Sequence, residues 1–314
     1  MNKKFAIAIH GGAGTILKST MTKEKEDQYV SALKEAINIG YKILEDGGTS
    51  LDAVEEAVVS LEDCPLFNAG KGSVFTHNGI HEMDASIMDG RNIDAGAVSL
   101  IKNIKNPVRL ARKIMEKSEH VILAGDGAEE FARQFNIEFA DKKYFYSEFR
   151  YDQLQKALQS DSIFLDHTEL DHKFGTVGAV ALDQMGNLAA STSTGGMTNK
   201  KWGRIGDTPI IGAGTYANNE TCAISCTGSG EYFIRTMTAF HVHSLMKYGN
   251  YNLDIAIRKV IHEILPSIGG DGGLIAIDNN GNVVMDFNTE GMYRAWKKGG
   301  ENGNETENES VLIY

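Results

Sequence analysis

The chain has 314 residues, 42% of them hydrophobic, enough for one large domain or two small ones with a substantial core. Its 31 basic and 42 acidic residues leave a formal net charge of −11, which argues against nucleic acid and anionic membranes as main partners, since each calls for a basic face. Cys64, Cys222 and Cys226 are too few, and odd in number, for a disulfide framework; they suit a reducing cytoplasm.

The run from Phe5 to His10 predicts a buried first strand. Two lysines precede it, but its apolar stretch is shorter than the roughly 7–15 residues of a secretion signal core. No stretch approaches the ~20 apolar residues of a membrane helix. Without export, the sequons Asn219-Glu220-Thr221 and Asn308-Glu309-Ser310 carry no meaning. Tyr29, Leu33, Ile37, Tyr41 and Leu44 keep helical spacing, and Gly47-Gly48 stops that helix. Ser50 is placed to cap a second helix, with Leu51, Val54, Val58 and Leu61 on its apolar face. Strands are expected at 73–76, 83–89 and 94–100. Pro107 opens a helix through Lys117, followed by a buried strand from His120 to Ala124 and a helix from Gly127 to Phe135. Periodicity fades between Ile137 and Lys173, which reads as a linker or a strap across the surface. It resumes with strands at 176–183 and 188–193 around Met185-Gly186-Asn187, then at 209–215 and 221–226. Helices follow from Gly230 to Lys247 and from Leu253 to Leu265. Strands at 272–278 and 282–287 flank Asn279-Asn280-Gly281. Helices set between blocks of hairpin-linked strands predict an α+β fold.

Four short motifs carry the chemistry. They are Gly175-Thr176-Val177-Gly178, Thr192-Ser193-Thr194-Gly195-Gly196, Gly203-Arg204-Ile205-Gly206-Asp207 and Cys226-Thr227-Gly228-Ser229-Gly230-Glu231. A mid-chain threonine has no base of its own. Cutting the Gly175–Thr176 peptide would supply one: a free α-amine with pKa of roughly 7.7–8.0, able to take the proton of its own residue's hydroxyl. Gly175 has no Cβ, so that peptide can be approached closely. The Arg204 fork matches an α-carboxylate and Asp207 an α-ammonium, and Gly203 and Gly206 free the backbone to turn both inward. Other readings fail. His10-Gly11-Gly12-Ala13-Gly14 lacks the Lys-Ser/Thr of a phosphate loop, and Gly125-Asp126-Gly127 lacks a third glycine because position 130 is Glu. His241 and His243 point to different faces of their helix and make no metal pair.

The motif set from Phe174 to Arg235 resembles the plant-type L-asparaginase / isoaspartyl peptidase family of N-terminal nucleophile hydrolases. So do His10–Gly14, Phe67–Val74 and Glu82–Met88; about 138–173 and the tail after 290 do not. The resemblance implies a four-layer αββα sandwich. It implies self-cleavage into an alpha subunit, 1–175 with a linker over about 138–175, and a beta subunit, 176–314, which stay together as one globular domain. It implies hydrolysis of L-asparagine and β-aspartyl dipeptides through a threonyl ester on Thr176. Thr194 then tunes the nucleophile, Thr227 and the Gly228 N–H hold the oxyanion, and Asn68 reaches the active site. Arg204 and Asp207 hold the α-groups of the aspartyl unit, and Gly228 and Gly230 complete the substrate-binding set. No organic cofactor is implied. A structural sodium ion is expected on the backbone carbonyls of a non-helical loop that includes Leu61, Glu62, Cys64, Phe67, Ala69 and Lys71, and the αβ units are expected to pair as a dimer. Two rivals stand beside this reading. Glycosylasparaginase shares fold and nucleophile, although Thr192–Lys200 fits the asparaginase branch better. The other is an uncleaved, non-catalytic binding protein with the same pocket.

Overall fold

The computed structural model describes residues 4–19, 21–159, 175–300 and 309–314. Its first strand, β1 (Phe5–Gly14), sends Phe5, Ile7 and Ile9 to one apolar cluster and Ala6 and Ala8 to another. That split is the period-2 alternation of a strand buried on both faces. The large sheet runs β12-β11-β1-β5-β6-β2-β3-β4. Its further members are β2 (Met83–Asp89), β3 (Ala95–Ile101), β4 (Ile122–Ala124), β5 (Val177–Leu182), β6 (Leu188–Thr194), β11 (Gly291–Gly299) and β12 (Glu309–Leu312). A second sheet runs β10-β9-β8-β7, from β7 (Thr215–Ala217), β8 (Cys222–Gly228), β9 (Gly272–Asp278) and β10 (Val283–Phe287). Among the strand pairs of the described residues, only the short β3–β4 pair is parallel.

Helices α1 (Lys23–Glu45), α2 (Ser50–Glu62) and α3 (Pro107–Lys117) cover the outer face of the large sheet, where Ile7, Leu33, Val54 and Ile114 share one core. Burying each such side chain contributes about 1.5–3 kcal/mol. Three more helices, α4 (Gly125–Gln134), α5 (Lys142–Phe145) and α6 (Glu148–Gln159), follow before the described chain breaks off at 159. The small sheet is covered by α7 (Gly230–Thr236), α8 (Thr238–Lys247) and α9 (Leu253–Arg258), the last continuing through a π turn into α10 (Leu265–Ser267). The result is the four-layer αββα arrangement. The inner strand faces carry Ala6, Ala8, Ala190 and Ala223, small side chains that let the two sheets approach closely. Among the described residues no helix is long and apolar enough to cross a membrane.

Several local expectations are corrected. Thr49, not Ser50, caps α2, its Oγ1 accepting the Asp52 N–H at 3.1 Å. Residues 73–76 form no strand, because the Val74 N–H is spent on Asn68 Oδ1 and the Thr76 N–H on the Ile80 carbonyl. Residues 209–214 turn instead of extending, and only Thr215–Ala217 joins a ladder. The strand ending at Ala124 is an edge strand with Ile122 exposed, not a buried one. The helix expected from Gly230 to Lys247 breaks at Met237, whose φ of 47° is left-handed. Residues 142–159 hold two helices where the pattern had faded. The remainder of the expected linker, 160–174, lies outside the described residues, as does Phe174.

Candidate active site

Thr176 stands at the head of β5, between β1 and β6, and is 7% exposed. Its Oγ1 donates to Thr194 Oγ1 at 3.2 Å, and the same Thr194 oxygen accepts the Gly196 N–H at 3.0 Å. Two protons aimed at one oxygen make Thr194 the acceptor that aligns the Thr176 hydroxyl. From the other sheet, Thr227 Oγ1 accepts the Ala13 N–H at 3.2 Å, so its own proton points elsewhere. A Cβ on Gly175 would fall 2.8 Å from that oxygen, and one on Gly12 would fall 2.5 Å from the Gly175 nitrogen. Gly12 follows the bulge in β1 and has φ of 112°. Bare glycine backbones therefore meet here, with the Thr227 hydroxyl beside the Gly175–Thr176 peptide. His10 lies on the same inner face, 2.8 Å from Ser225 Oγ; burial drives its imidazole down to about 3, so it is neutral at ordinary pH.

Arg204 and Asp207 do not pair with each other. Arg204 Nε and Nη2 each donate to the Glu231 carboxylate at 2.8 Å. Asp207 is buried, and its Oδ2 has no hydrogen-bond partner. Burial pushes its carboxyl up to about 7, against the pull of the Arg204 charge. Both side chains meet at Gly230, where a Cβ would sit 2.8 Å from Asp207 Oδ1 and 3.0 Å from Arg204 Nη2. Gly228 needs its glycine for a different reason: φ is 153°, and a Cβ would fall 2.5 Å from the Asp271 carbonyl. An open carboxylate oxygen beside a guanidinium is the charge pattern that receives an ammonium and a carboxylate on one carbon.

Asn68 touches the Thr194 turn, not the nucleophile. Its Nδ2 donates to the Gly196 carbonyl at 2.7 Å, its carbonyl accepts the Gly195 N–H at 3.0 Å, and its Oδ1 accepts the Val74 N–H. The loop behind it is only partly a loop: Leu61 and Glu62 close α2, and Gly70–Gly72 form a 3₁₀ turn. The carbonyls of Glu62, Pro65 and Phe67 pack against the glycines of that turn. A Cβ on Gly70 would lie 2.4 Å from the Glu62 oxygen, and one on Gly72 would lie 2.7 Å from the Pro65 oxygen and closer still to that of Phe67. Cys64 and Ala69 contribute turn carbonyls, while the Lys71 ammonium lies 5.4 Å from the Tyr144 ring centroid. Among the described residues no group of three or more His, Cys, Asp or Glu could hold a metal ion.

The profile of the family described as Asparaginase matches residues 3–307. The chain belongs to the asparaginase family. It is 52% identical over 305 residues to the isoaspartyl peptidase of Salmonella typhimurium, covering 96% of this chain and 97% of that one. It is 43% identical over 304 residues to the plant-type L-asparaginase of Pyrococcus furiosus, with 94% and 97% covered. An isoaspartyl peptidase/L-asparaginase of Xenopus laevis is 42% identical over 290 residues, with 92% and 91% covered. Within this asparaginase fold, Thr176, Thr194, Thr227 and Gly175 come together, and Arg204, Asp207 and Gly230 form a second group. Sequence reading left Glu231 without a role, although it stands inside a quoted motif. It likewise gave no role to the buried hydroxyls of Ser86, Thr192, Thr215 and Ser225. They are scattered over four strands, and no spacing signals them.

Proposed function

We propose that this asparaginase-family chain is an amide hydrolase acting on β-aspartyl dipeptides and L-asparagine, matured by cleavage of its own Gly175–Thr176 peptide. The observation that carries this reading is the Thr176–Thr194 hydroxyl pair, with Thr227 Oγ1 facing Gly175 across it. In maturation, Thr176 Oγ attacks the Gly175 carbonyl carbon, the Gly175–Thr176 C–N bond breaks with its nitrogen taking up a proton as the free Thr176 amine, and water then hydrolyses the resulting ester to a Gly175 carboxylate and the Thr176 hydroxyl. That amine then takes the proton of its own hydroxyl. The oxygen attacks the side-chain carbonyl carbon of the aspartyl unit. The developing oxyanion is met by the Thr227 hydroxyl and the Gly228 N–H. Collapse expels ammonia or the amino group of a peptide, protonated as it leaves. Water then cleaves the threonyl ester and releases aspartate. Asp207 Oδ2 receives the substrate α-ammonium, and the α-carboxylate engages Arg204 in exchange with, or beside, Glu231. Substrates that share the aspartyl unit differ only in the leaving amine.

A sodium ion on the backbone carbonyls of the loop from Leu61 to Lys71 is carried over from the resemblance; it would stiffen the loop behind Asn68. The sparse cysteines suit a cytoplasmic location, and a dimer of αβ units is carried over from the resemblance; sedimentation would test the dimer. For the hydrolase itself, Thr176→Ala is the test. Wild-type protein should run as two bands on a denaturing gel, with a new N-terminus at Thr176, and hydrolyse both substrates; the variant should stay whole and inactive. A whole wild-type chain that turns over substrate would exclude the mechanism. A whole, inactive one would favour the binding protein. Preference for a glycosylated asparagine over β-aspartyl peptides would favour glycosylasparaginase.

A further inference from the structure

Directly beneath the reactive threonines runs a buried row of polar side chains to which no catalytic step has been given. In the large sheet, His10, Gly178, Thr192 and Ser86 are direct cross-strand partners on β1, β5, β6 and β2. In the small sheet, Ser225 and Thr215 are partners on β8 and β7. The two rows face each other and interlock. His10 Nε2 is 2.8 Å from Ser225 Oγ, and Ser225 Oγ is 2.7 Å from Thr192 Oγ1. Thr192 bonds Thr215, and Thr215 Oγ1 is 2.7 Å from Ser86 Oγ. Ser86 Oγ ends the chain 2.6 Å from the Thr208 carbonyl oxygen, next to Asp207. A Cβ on Gly178 would fall closer still to Ser225 Oγ and 2.5 Å from His10 Nε2, so the zipper passes through the gap that this glycine leaves.

We infer that this hydroxyl zipper is a positioning device for the reaction, holding the two sheets in one register. Strand parity is the reason. Thr176 is two residues before Gly178, Thr194 two after Thr192, and Thr227 two after Ser225, all on the same inner faces. The nucleophile group rides on the large sheet, whereas the oxyanion threonine rides on the small one. Their separation is set by how the sheets slide on each other. Apolar contact between alanine-rich faces resists separation but is non-directional. Hydrogen bonds across the interface are directional, and buried partners resist being broken. At its far end the zipper fixes Thr208 and so the loop carrying Asp207.

This rests on the hydrolase reading, and its test has one arm that needs no turnover. Proteins carrying a free Thr176 amine are compared as Ser225→Ala, Thr192→Val, Thr192→Ser and Ser86→Ala. The control is Val180→Ala, a truncation between the same sheets away from the row. Well below the melting temperature, Ser225→Ala and Thr192→Val should lower kcat at least tenfold with KM little changed, and Thr192→Ser should restore most of it. Ser86→Ala, which frees the Thr208 carbonyl, should chiefly raise KM. Val180→Ala should lower the melting temperature and leave both constants alone. By hydrogen exchange, Thr192→Val should expose the β6 and β8 amides flanking the row more than Val180→Ala does. Kinetics matching the control, or equal exchange in the two variants, would reduce the row to ordinary packing. If Thr192→Val does not fold, Thr192→Ser against Ser86→Ala still decides, since a packing role predicts no split between kcat and KM. A wild type that hydrolyses neither substrate counts against the function alone, and the exchange comparison still judges the zipper.

Discussion

At the scale of single residues, Asp207 places function against stability. Its folded carboxyl holds a proton up to about 7, above its ordinary value of 3.8, because burial disfavours the charge. The folded state therefore binds the proton more tightly than the unfolded chain, and this group costs stability progressively as pH rises from about 4 to about 7. Asp207→Asn should melt higher than wild type at pH 8, with a smaller difference at pH 5, while KM for asparagine rises by roughly 10²-fold or more. In the wild type, KM should climb as pH falls below 7, when protonation removes the charge that meets the substrate ammonium. Thermal scans at the two pH values and a KM–pH profile check all three; a variant that melts lower at pH 8 would contradict the argument. Thr227→Val leaves the Ala13 N–H without its acceptor, costing about 1–3 kcal/mol of stability, but kcat should fall ~10²-fold or more. Stopped-flow turnover on cleaved protein separates the two effects. These residues were legible because each sits in a short glycine-bounded motif. Glu231 was visible but unassigned, since nothing in one sequence says that it reaches Arg204. Of the zipper hydroxyls, Thr192 and Ser86 stood inside noted motifs without a role and Thr215 and Ser225 were not singled out, because only sheet register brings the four together.

At the scale of elements, the segment over 142–159 shows why a weak pattern can hide firm structure. Arg150 on α6 is 1% exposed, and its Nε donates to the Gly72 carbonyl at 2.9 Å. Phe145 is buried beside His81, and the Tyr144 hydroxyl donates to Asp63 Oδ1 at 2.7 Å. A buried guanidinium on the inward face spoils the apolar stripe that would have announced the helix. The segment reads better as a strap over the loop bearing Asn68 than as a passive linker. Arg150→Met should lower stability by about 1–3 kcal/mol through the stranded Gly72 carbonyl, and lower kcat more than it changes KM, because Asn68 steadies the Thr194 turn while Asp207 lies elsewhere. Differential scanning calorimetry with steady-state kinetics checks this. An unchanged kcat in a destabilised protein would leave the strap purely structural. Strands such as β5 and β9 were legible from their continuous apolar runs and turn residues. The last two were not: β11 reads Gly-Met-Tyr-Arg-Ala-Trp-Lys-Lys-Gly, and its charged residues interrupt the apolar alternation of a strand that pairs with β1 over its whole length. The break at Met237 was equally hidden, since methionine ordinarily favours helix and nothing in its neighbours announces a left-handed residue.

At the scale of the whole molecule, the layer order followed from family resemblance more than from periodicity, because patterning reveals strands but not their neighbours. The strand order β12-β11-β1-β5-β6-β2-β3-β4 carries one more consequence. With the cut proposed at Gly175–Thr176, β1 to β4 belong to the first piece and β5 to β12 to the second, so ladders at β11–β1, β1–β5 and β6–β2 join different polypeptides. Neither piece retains a contiguous large sheet. The uncut precursor can reach this interleaved arrangement as a one-chain, first-order folding reaction. The mature protein, once unfolded, must reach it by bimolecular encounter. Its recovery after dilution from denaturant should therefore slow and lose yield as protein is diluted, and its melting temperature should rise with concentration. The Thr176→Ala chain, kept whole, should recover at a rate independent of concentration when followed by far-UV circular dichroism. Identical, concentration-independent recovery of both would mean that the two pieces never part in denaturant. Otherwise the intact chain serves as an intramolecular template used once, and the working enzyme inherits a topology it cannot readily rebuild.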